Sequence, residues 1–129
     1  MQTRGDDMHF KRNEPFRYEF GQPIPALFNI IRINNREVES SGGQAEIIEV
    51  SPEGLRIKSK LNIPDIKTNQ IMLTISFELN NKIFKFDGYI VWKKELSQYT
   101  TYGLKLVVED EKREEFIEEL KIFTKQSRK

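Results

Sequence analysis

The chain has 129 residues, of which 37% are hydrophobic and 32% charged, a balance typical of one globular domain with a well-solvated surface. Its 21 basic and 20 acidic residues give a net charge of +1, which argues against a nucleic acid polymer as the partner, because capture of DNA or RNA needs a strong positive field. The absence of cysteine excludes disulfides, thiolate catalysis and cysteine metal sites.

The N-terminal residues 1–15 are polar, show no hydrophobic periodicity and end at a proline. They predict a flexible arm in front of a single domain that spans residues 16–129. The arm lacks the apolar core of a signal peptide. No apolar run approaches the roughly 20 residues needed to cross a bilayer, so we expect a cytoplasmic protein without membrane insertion.

The pattern from Phe16 to Val108 predicts β-structure. Between Ile71 and Leu79 apolar and polar side chains alternate, as in a strand with one buried face. Asn80-Asn81 tolerate positive φ and predict a two-residue hairpin, whereas the polar segment 34–43 predicts a mobile hairpin tip. The predicted strands span residues 24–33, 45–51, 54–60, 71–79, 82–94 and 99–108.

The strand predicted at residues 82–94 is apolar on both faces around Trp92. This pattern indicates a central strand, or one that is covered on its second face. Trp92 is therefore interpreted as a core residue, together with Tyr89, Tyr99 and Tyr102. The alternative for these aromatic residues is a base-stacking platform on the surface.

One helix is predicted at residues 110–126. Asp110 is a suitable N-cap, and Phe116, Ile117, Leu120 and Phe123 lie on one stripe at helical spacing. The helix is expected to lie across an open end or face of the β-structure. The predicted fold class is mainly β: a small antiparallel six-stranded β-barrel with a C-terminal α-helix.

Two separated segments carry polar groups suited to one ligand. Residues 11–17 read Lys-Arg-Asn-Glu-Pro-Phe-Arg, and residues 49–54 read Glu-Val-Ser-Pro-Glu-Gly. Guanidinium groups present planar donor forks that match phosphate oxygens or the O6/N7 edge of guanine. A carboxylate can accept hydrogen bonds from guanine N1 and N2. Together these groups favour a ligand that carries phosphates and purine edges.

In chain order, the basic arm, the Glu-x-Ser-x-x-Gly turn, the strand segment 88–92 (Gly-Tyr-Ile-Val-Trp), the strand segment 102–106 (Tyr-Gly-Leu-Lys-Leu) and the helix resemble the PilZ family. Members of this family are bacterial receptor domains for cyclic diguanylate (cyclic di-GMP), with a split six-stranded barrel. The family pattern is an Arg-xxx-Arg arm and an Asp/Asn-x-Ser-x-x-Gly turn. This chain departs from it at Asn13, where arginine is usual, and at Glu49, where the family prefers Asp or Asn.

The resemblance implies cyclic di-GMP as the ligand, no further cofactor and an unidentified effector protein as the partner. It implies that the ligand is bound by residues of the arm and of the turn, namely Lys11, Arg12, Asn13, Arg17, Glu49, Ser51 and Gly54. In this interpretation Arg12 replaces the arginine missing at position 13. The extra methylene of Glu49 shifts its oxygens by about 1.5 Å relative to aspartate, which predicts weakened binding.

Two other functions are compatible with the same residues. One is an adaptor with the same fold that does not bind the nucleotide and acts by protein–protein interaction. The other is a weak binder of single-stranded nucleic acid, which the net charge disfavours. An enzyme is not predicted, because a single histidine and no cysteine provide no nucleophilic set, and no glycine-rich phosphate loop is present.

Overall fold

The computed structural model describes residues 17–40, 42–51, 54–63 and 67–127. Seven strands and one helix follow one another along this part of the chain. Their bounds are β1 (Tyr18–Ile33), β2 (Arg36–Glu37), β3 (Gly43–Ser51), β4 (Gly54–Ser59), β5 (Ile71–Leu79), β6 (Lys82–Glu95), β7 (Thr100–Val107) and α1 (Asp110–Ser127).

Six of the strands form a closed antiparallel barrel, which confirms the predicted fold class. The strand order is β1-β3-β4-β7-β6-β5, and β1 closes the barrel because it also pairs with β5. Strand β2 is an addition to the prediction. It lies within the segment predicted as a hairpin tip and pairs with the end of β1, where Arg32 faces Glu37. A turn through Asn34, whose φ is 58°, makes this return possible.

The hairpin between β5 and β6 has the predicted geometry. Asn80 and Asn81 both have positive φ, at 54° and 67°, and Leu79 pairs with Lys82 across the turn. Positive φ at both central residues produces the turn twist that matches two antiparallel strands. Strand β5 also has the predicted bounds, from Ile71 to Leu79.

Irregular pairing distinguishes β3 and β6 from ideal strands. In β3, Ile47 faces Ile57 and Glu49 faces Arg56, so Ile48 is an extra residue relative to β4. A β-bulge of this kind shifts the inward–outward alternation by one residue. As a result Glu49 extends outward although Ile47, two residues before it, is buried.

A second bulge corrects the prediction made for β6. Ile90 faces Leu104 and Trp92 faces Gly103, so Val91 is the extra residue. Ile90 is buried, but Val91 is 56% exposed and Trp92 is 41% exposed. Strand β6 is central, as predicted, because it pairs with both β5 and β7, but its second face is not covered at Val91 and Trp92. The interpretation of Trp92 as a core residue was wrong. The apolar run at residues 90–92 is typical of a buried strand, but next to the bulge Val91 and Trp92 lie toward solvent.

The helix α1 packs across one end of the barrel through the aromatic residues of β5 and β6. Phe116 is buried, and its ring contacts the rings of Phe77, Phe84 and Phe86 at centroid distances of 5.6, 5.3 and 5.3 Å. Leu120 is fully buried one turn further along. The predicted apolar stripe is thus the packing face of the helix.

Polar contacts join the same helix to the β5–β6 hairpin. The side-chain amide of Asn80 donates to the backbone carbonyl of Glu119 at 2.8 Å and to its carboxylate at 3.0 Å. The Lys82 ammonium lies 2.9 Å from the Glu119 carboxylate. This hydrogen-bonded ion pair lowers the pKa of Glu119 and raises the pKa of Lys82. The hairpin turn is therefore attached to the helix by both charge and hydrogen bonds.

Tyr102 supports the segment that follows β4. Its fully buried hydroxyl accepts from the Ile63 amide at 2.8 Å and donates to the Leu61 carbonyl at 2.7 Å. Burial raises the pKa of the Tyr102 phenol. Lys93 adds a hydrogen bond to the Ile63 carbonyl at 2.7 Å. These bonds satisfy backbone groups in a segment that has no sheet partner.

Candidate functional site

A lateral row of five residues crosses the outside of the barrel. Strand pairing places Glu19 opposite Glu49, Glu49 opposite Arg56, Arg56 opposite Gly103, and Gly103 opposite Trp92. Directly opposed residues on neighbouring strands have Cβ atoms about 4.5–5.5 Å apart. The row therefore brings two carboxylates, a guanidinium and an indole from four different strands onto one continuous surface.

The indole of Trp92 lies directly on Gly103. A Cβ atom added at Gly103 would lie 2.0 Å from Nε1 of Trp92 and 2.3 Å from its Cε2. Only glycine leaves this space, because any side chain would occupy the volume of the ring. The glycine thus leaves room for the tryptophan ring on the sheet surface, where the residue is 41% exposed.

Two arginines surround the carboxylate of Glu49. Nη1 of Arg17 donates to Oε1 of Glu49 at 3.4 Å, and Nε of Arg56 lies 3.6 Å from the same oxygen. The Glu49 side chain is 19% exposed, against 62% for Arg17 and 37% for Arg56. Both contacts are long, and Arg17 in particular is held weakly, because an exposed ion pair contributes only about 0–1 kcal/mol.

Ser51 and Gly54 lie at the base of the β3–β4 hairpin and pair with each other. The Ser51 hydroxyl donates to the Gly54 carbonyl at 3.4 Å. A Cβ atom at Gly54 would lie 2.0 Å from the carbonyl oxygen of Leu104 on β7. The glycine is therefore required for the close approach of β4 to β7, and not for a positive φ.

These side chains line one open cleft of about 280 Å³. Arg17, Arg56 and Lys105 contribute three positive charges to it, and Glu49 contributes one negative charge. Trp92 supplies an aromatic surface in the same cleft. Such a combination suits an anionic ligand with a planar ring, since guanidinium forks bind phosphates and an indole stacks on a base.

A larger groove, of about 900 Å³, lies elsewhere on the barrel. Its lining includes Leu27, Leu61 and Tyr99, together with Lys58, which forms an ion pair with Glu46 at 3.6 Å. Of the predicted ligand-binding residues, the four that the structure describes, Arg17, Glu49, Ser51 and Gly54, do not line this groove. Its size alone therefore does not connect it with the motifs of the sequence.

The structure brings four of the predicted site residues together. Arg17, Glu49, Ser51 and Gly54 all line the small cleft. The other three predicted site residues, Lys11, Arg12 and Asn13, lie outside the described residues.

Arg56 and Trp92 line the cleft but were not predicted as ligand-binding residues. In the sequence Arg56 alternates with Lys58 and Lys60, a pattern that favours a solvated strand face over a phosphate-facing surface, and Trp92 was interpreted as core. The sequence signal for Arg56 is its position two residues after the turn glycine, which in a strand places it on the outer face next to Glu49. The signal for Trp92 is the glycine of the Tyr-Gly segment, which leaves room for a ring on the neighbouring strand.

The described part of the chain contains no group of three or more side chains that could hold a metal ion. Among the same residues, no helix has the length and hydropathy that crossing a membrane requires.

The comparisons with known proteins agree with the fold. No curated protein matches the chain. A family model, described as PilZ domain, matches residues 11–122, which is most of the chain. The match includes the basic arm, all seven strands and the greater part of α1. The chain therefore belongs to the PilZ domain family, a family of binding domains.

Proposed function

We propose that this protein is a receptor domain for cyclic di-GMP and that it relays the signal to an effector protein by direct contact. The observation that carries the proposal is the meeting of Arg17, Glu49, Ser51 and Gly54 in one cleft of net positive charge. Arg17 and Glu49, which are 32 positions apart in the chain, meet there beside Trp92, which belongs to neither motif.

Each group has a distinct role in the proposed complex. The guanidinium of Arg17 leaves Glu49 and takes up a phosphate or a guanine edge, which is possible because the ion pair is exposed and long. The Glu49 carboxylate then accepts from guanine N1 and N2. The indole of Trp92 stacks on a base, and stacking contributes about 1–3 kcal/mol per base.

The arm completes the site in this proposal. Lys11, Arg12 and Asn13 close over the bound nucleotide, with Arg12 in place of the arginine that the family has at position 13. Ordering a segment on binding changes the surface that a partner meets, and this is how a small ligand can alter a protein–protein interface. The protein acts by binding and not by catalysis, in a cytoplasmic setting.

The test is calorimetric titration of the purified chain with cyclic di-GMP, with GTP as the control ligand. We expect binding in the low micromolar range or tighter. Nucleotide at 100 times the Kd should also stabilise the fold by about 2.7 kcal/mol. Arg17→Ala should lower the affinity about tenfold or more, since a charged hydrogen bond contributes about 1.5–3 kcal/mol.

Arg36→Ala is the matched control, because Arg36 is an exposed arginine on β2 that does not line the cleft. It should bind like the parent. The absence of both heat and thermal stabilisation at high ligand excess would contradict the receptor function. In that case the chain is an adaptor of the same fold, and the search moves to partner proteins. Unchanged binding by Arg17→Ala would place the site elsewhere on the barrel.

A further inference from the structure

We propose that Arg56 binds the nucleotide directly and supplies, from β4, the second guanidinium fork that the arm lacks at Asn13. This inference rests on the proposed function. Position 13 lies four residues before Arg17, where the family pattern has arginine, and asparagine offers neither a charge nor a fork. A fork on the barrel itself would replace one that the arm does not provide.

The first argument is position. Arg56 lies opposite Glu49 on one side and opposite Gly103 on the other. Its side chain therefore extends over the outer face between the carboxylate and the ring of Trp92, which covers Gly103. A ligand that contacts Glu49 and stacks on Trp92 must pass over Arg56.

The second argument is an unsatisfied donor. Nε of Arg56 is buried and has no hydrogen-bond partner among the described residues. Its distance of 3.6 Å from Glu49 is an ion pair and not a hydrogen bond. Arg17 approaches the same oxygen at 3.4 Å, so two guanidinium groups share one carboxylate. Buried donors are rarely left unpaired, so the present contacts do not fix this guanidinium, and the side chain of Arg56, which is 37% exposed, can present its fork to an anionic ligand.

The third argument comes from a neighbouring pair with the same construction. Lys58 lies on the same strand and the same face, and it faces Glu46 on β3 as Arg56 faces Glu49. Its ammonium lies 3.6 Å from the Glu46 carboxylate and 4.9 Å from the centre of the Tyr99 ring. Lys58 thus has both an anionic and an aromatic partner within the protein. Arg56 has the anionic partner Glu49 at the same distance, but among the described residues it has no cation–π contact like that of Lys58, so its cation is less fully engaged within the protein.

The experiment measures cyclic di-GMP binding by calorimetry with the full chain and three variants. Arg56→Ala should weaken the affinity about tenfold or more, as expected for a lost charged hydrogen bond. Arg56→Lys keeps a charge that can pair with Glu49 but has no fork, and it should also bind measurably more weakly than the parent. Lys58→Ala removes the equivalent pair outside the cleft and should stay within about twofold of the parent. Thermal unfolding without ligand verifies that each variant is folded.

The outcomes separate this inference from the proposed function. If the parent and Lys58→Ala bind, and both Arg56 variants are weakened, the inference is supported. If the parent binds and Arg17→Ala is weakened while Arg56→Ala binds like the parent, Arg56 is not a ligand residue, and the proposed function stands. Full affinity of Arg56→Lys would show that only a positive charge beside Glu49 is needed. It would contradict the proposal that a guanidinium fork binds the nucleotide. If the parent does not bind, both proposals fall together.

Discussion

The contact between Trp92 and Gly103 allows a sharp test, because Trp92 is the only tryptophan of the chain. In Gly103→Ala the new methyl group would lie 2.0 Å from the indole Nε1, so the ring must leave its place. The obstacle is the exposed ring of a side chain, which can rotate away. We therefore expect a folded barrel with a displaced, more solvent-exposed indole.

The magnitude follows from the area that the ring loses. An aromatic side chain buries about 150–250 Å² when fully covered. Trp92 is 41% exposed, so its covered part is about 90–150 Å². At about 25 cal/mol per Å², complete detachment would lower the free energy of unfolding by about 2–4 kcal/mol. The ring can keep some contacts after it moves, so we expect a loss of about 1–3 kcal/mol.

The assay is tryptophan fluorescence combined with denaturant unfolding. Gly103→Ala should shift the emission to longer wavelength, increase quenching by acrylamide, and lower the denaturant midpoint with an unchanged m-value. Nucleotide binding should weaken as well if Trp92 stacks on a base. Emission, quenching and stability identical to those of the parent would refute the placement of the ring on Gly103.

Two other glycines provide matched controls for the same substitution. A Cβ atom at Gly21 would meet nothing within 4 Å, and its φ is not positive. Gly21→Ala should therefore be neutral or stabilising by about 0.4–1 kcal/mol, through the unfolded chain. At Gly54 the obstacle is the backbone oxygen of Leu104, which cannot rotate away. Gly54→Ala should therefore be the most destabilising of the three.

Two further predictions concern the stability of the barrel. Tyr102→Phe removes the hydrogen bonds to Ile63 and Leu61 and should lower the free energy of unfolding by about 1–3 kcal/mol, measured by denaturant unfolding. The ion pair between Glu119 and Lys82 should make the free energy of unfolding depend on pH in both the acidic and the alkaline range. Glu119 has a lowered pKa, so its contribution is complete above its ordinary value of 4.5 and is lost as pH falls through the lower folded value. Lys82 has a raised pKa, so its contribution is complete below 10.5 and is lost as pH rises through the higher folded value.

These predictions have clear contrary results. Unchanged unfolding of Tyr102→Phe would mean that water replaces both bonds without loss. For the ion pair, thermal unfolding of the parent and of Glu119→Gln is compared across pH. The advantage of the parent should be largest between the two pKa values and should decrease as pH falls from 4.5 toward the lower folded pKa of Glu119, because the unfolded chain takes up the proton first. A constant difference at all pH values would contradict an electrostatic role.

The regular alternation of apolar and polar side chains along the strands made much of the fold predictable. Strand β5 and the Asn80-Asn81 turn appear as predicted, because period-two hydrophobicity and tolerance of positive φ are local properties. The start of β1 was not predicted correctly. The strand begins at Tyr18 rather than at Ile24, because its pairing with β3 continues on both sides of an irregularity after Glu19. A glycine and a proline within that stretch hide the strand from a propensity argument.

The site residues also differ in how far the sequence alone could predict them. Arg17, Glu49, Ser51 and Gly54 belong to motifs that a sequence displays directly. Trp92 is different: its strand looks buried, and one extra residue at Val91 turns it outward. A bulge depends on the pairing partner and not on local composition, so no periodicity reveals it.

By itself, the sequence determined a small β-barrel with one terminal helix and its main turn, because hydrophobic periodicity and turn chemistry are local properties. The family was indicated by the resemblance of its motifs. Only the tertiary structure decided which side chains share a surface. Bulges at Ile48 and Val91 place Glu49 and Trp92 on the outer face, and pairing across β3, β4 and β7 inserts Arg56 between them. The physical reason is that register between distant strands, which sets the direction of every side chain, arises only when the barrel closes.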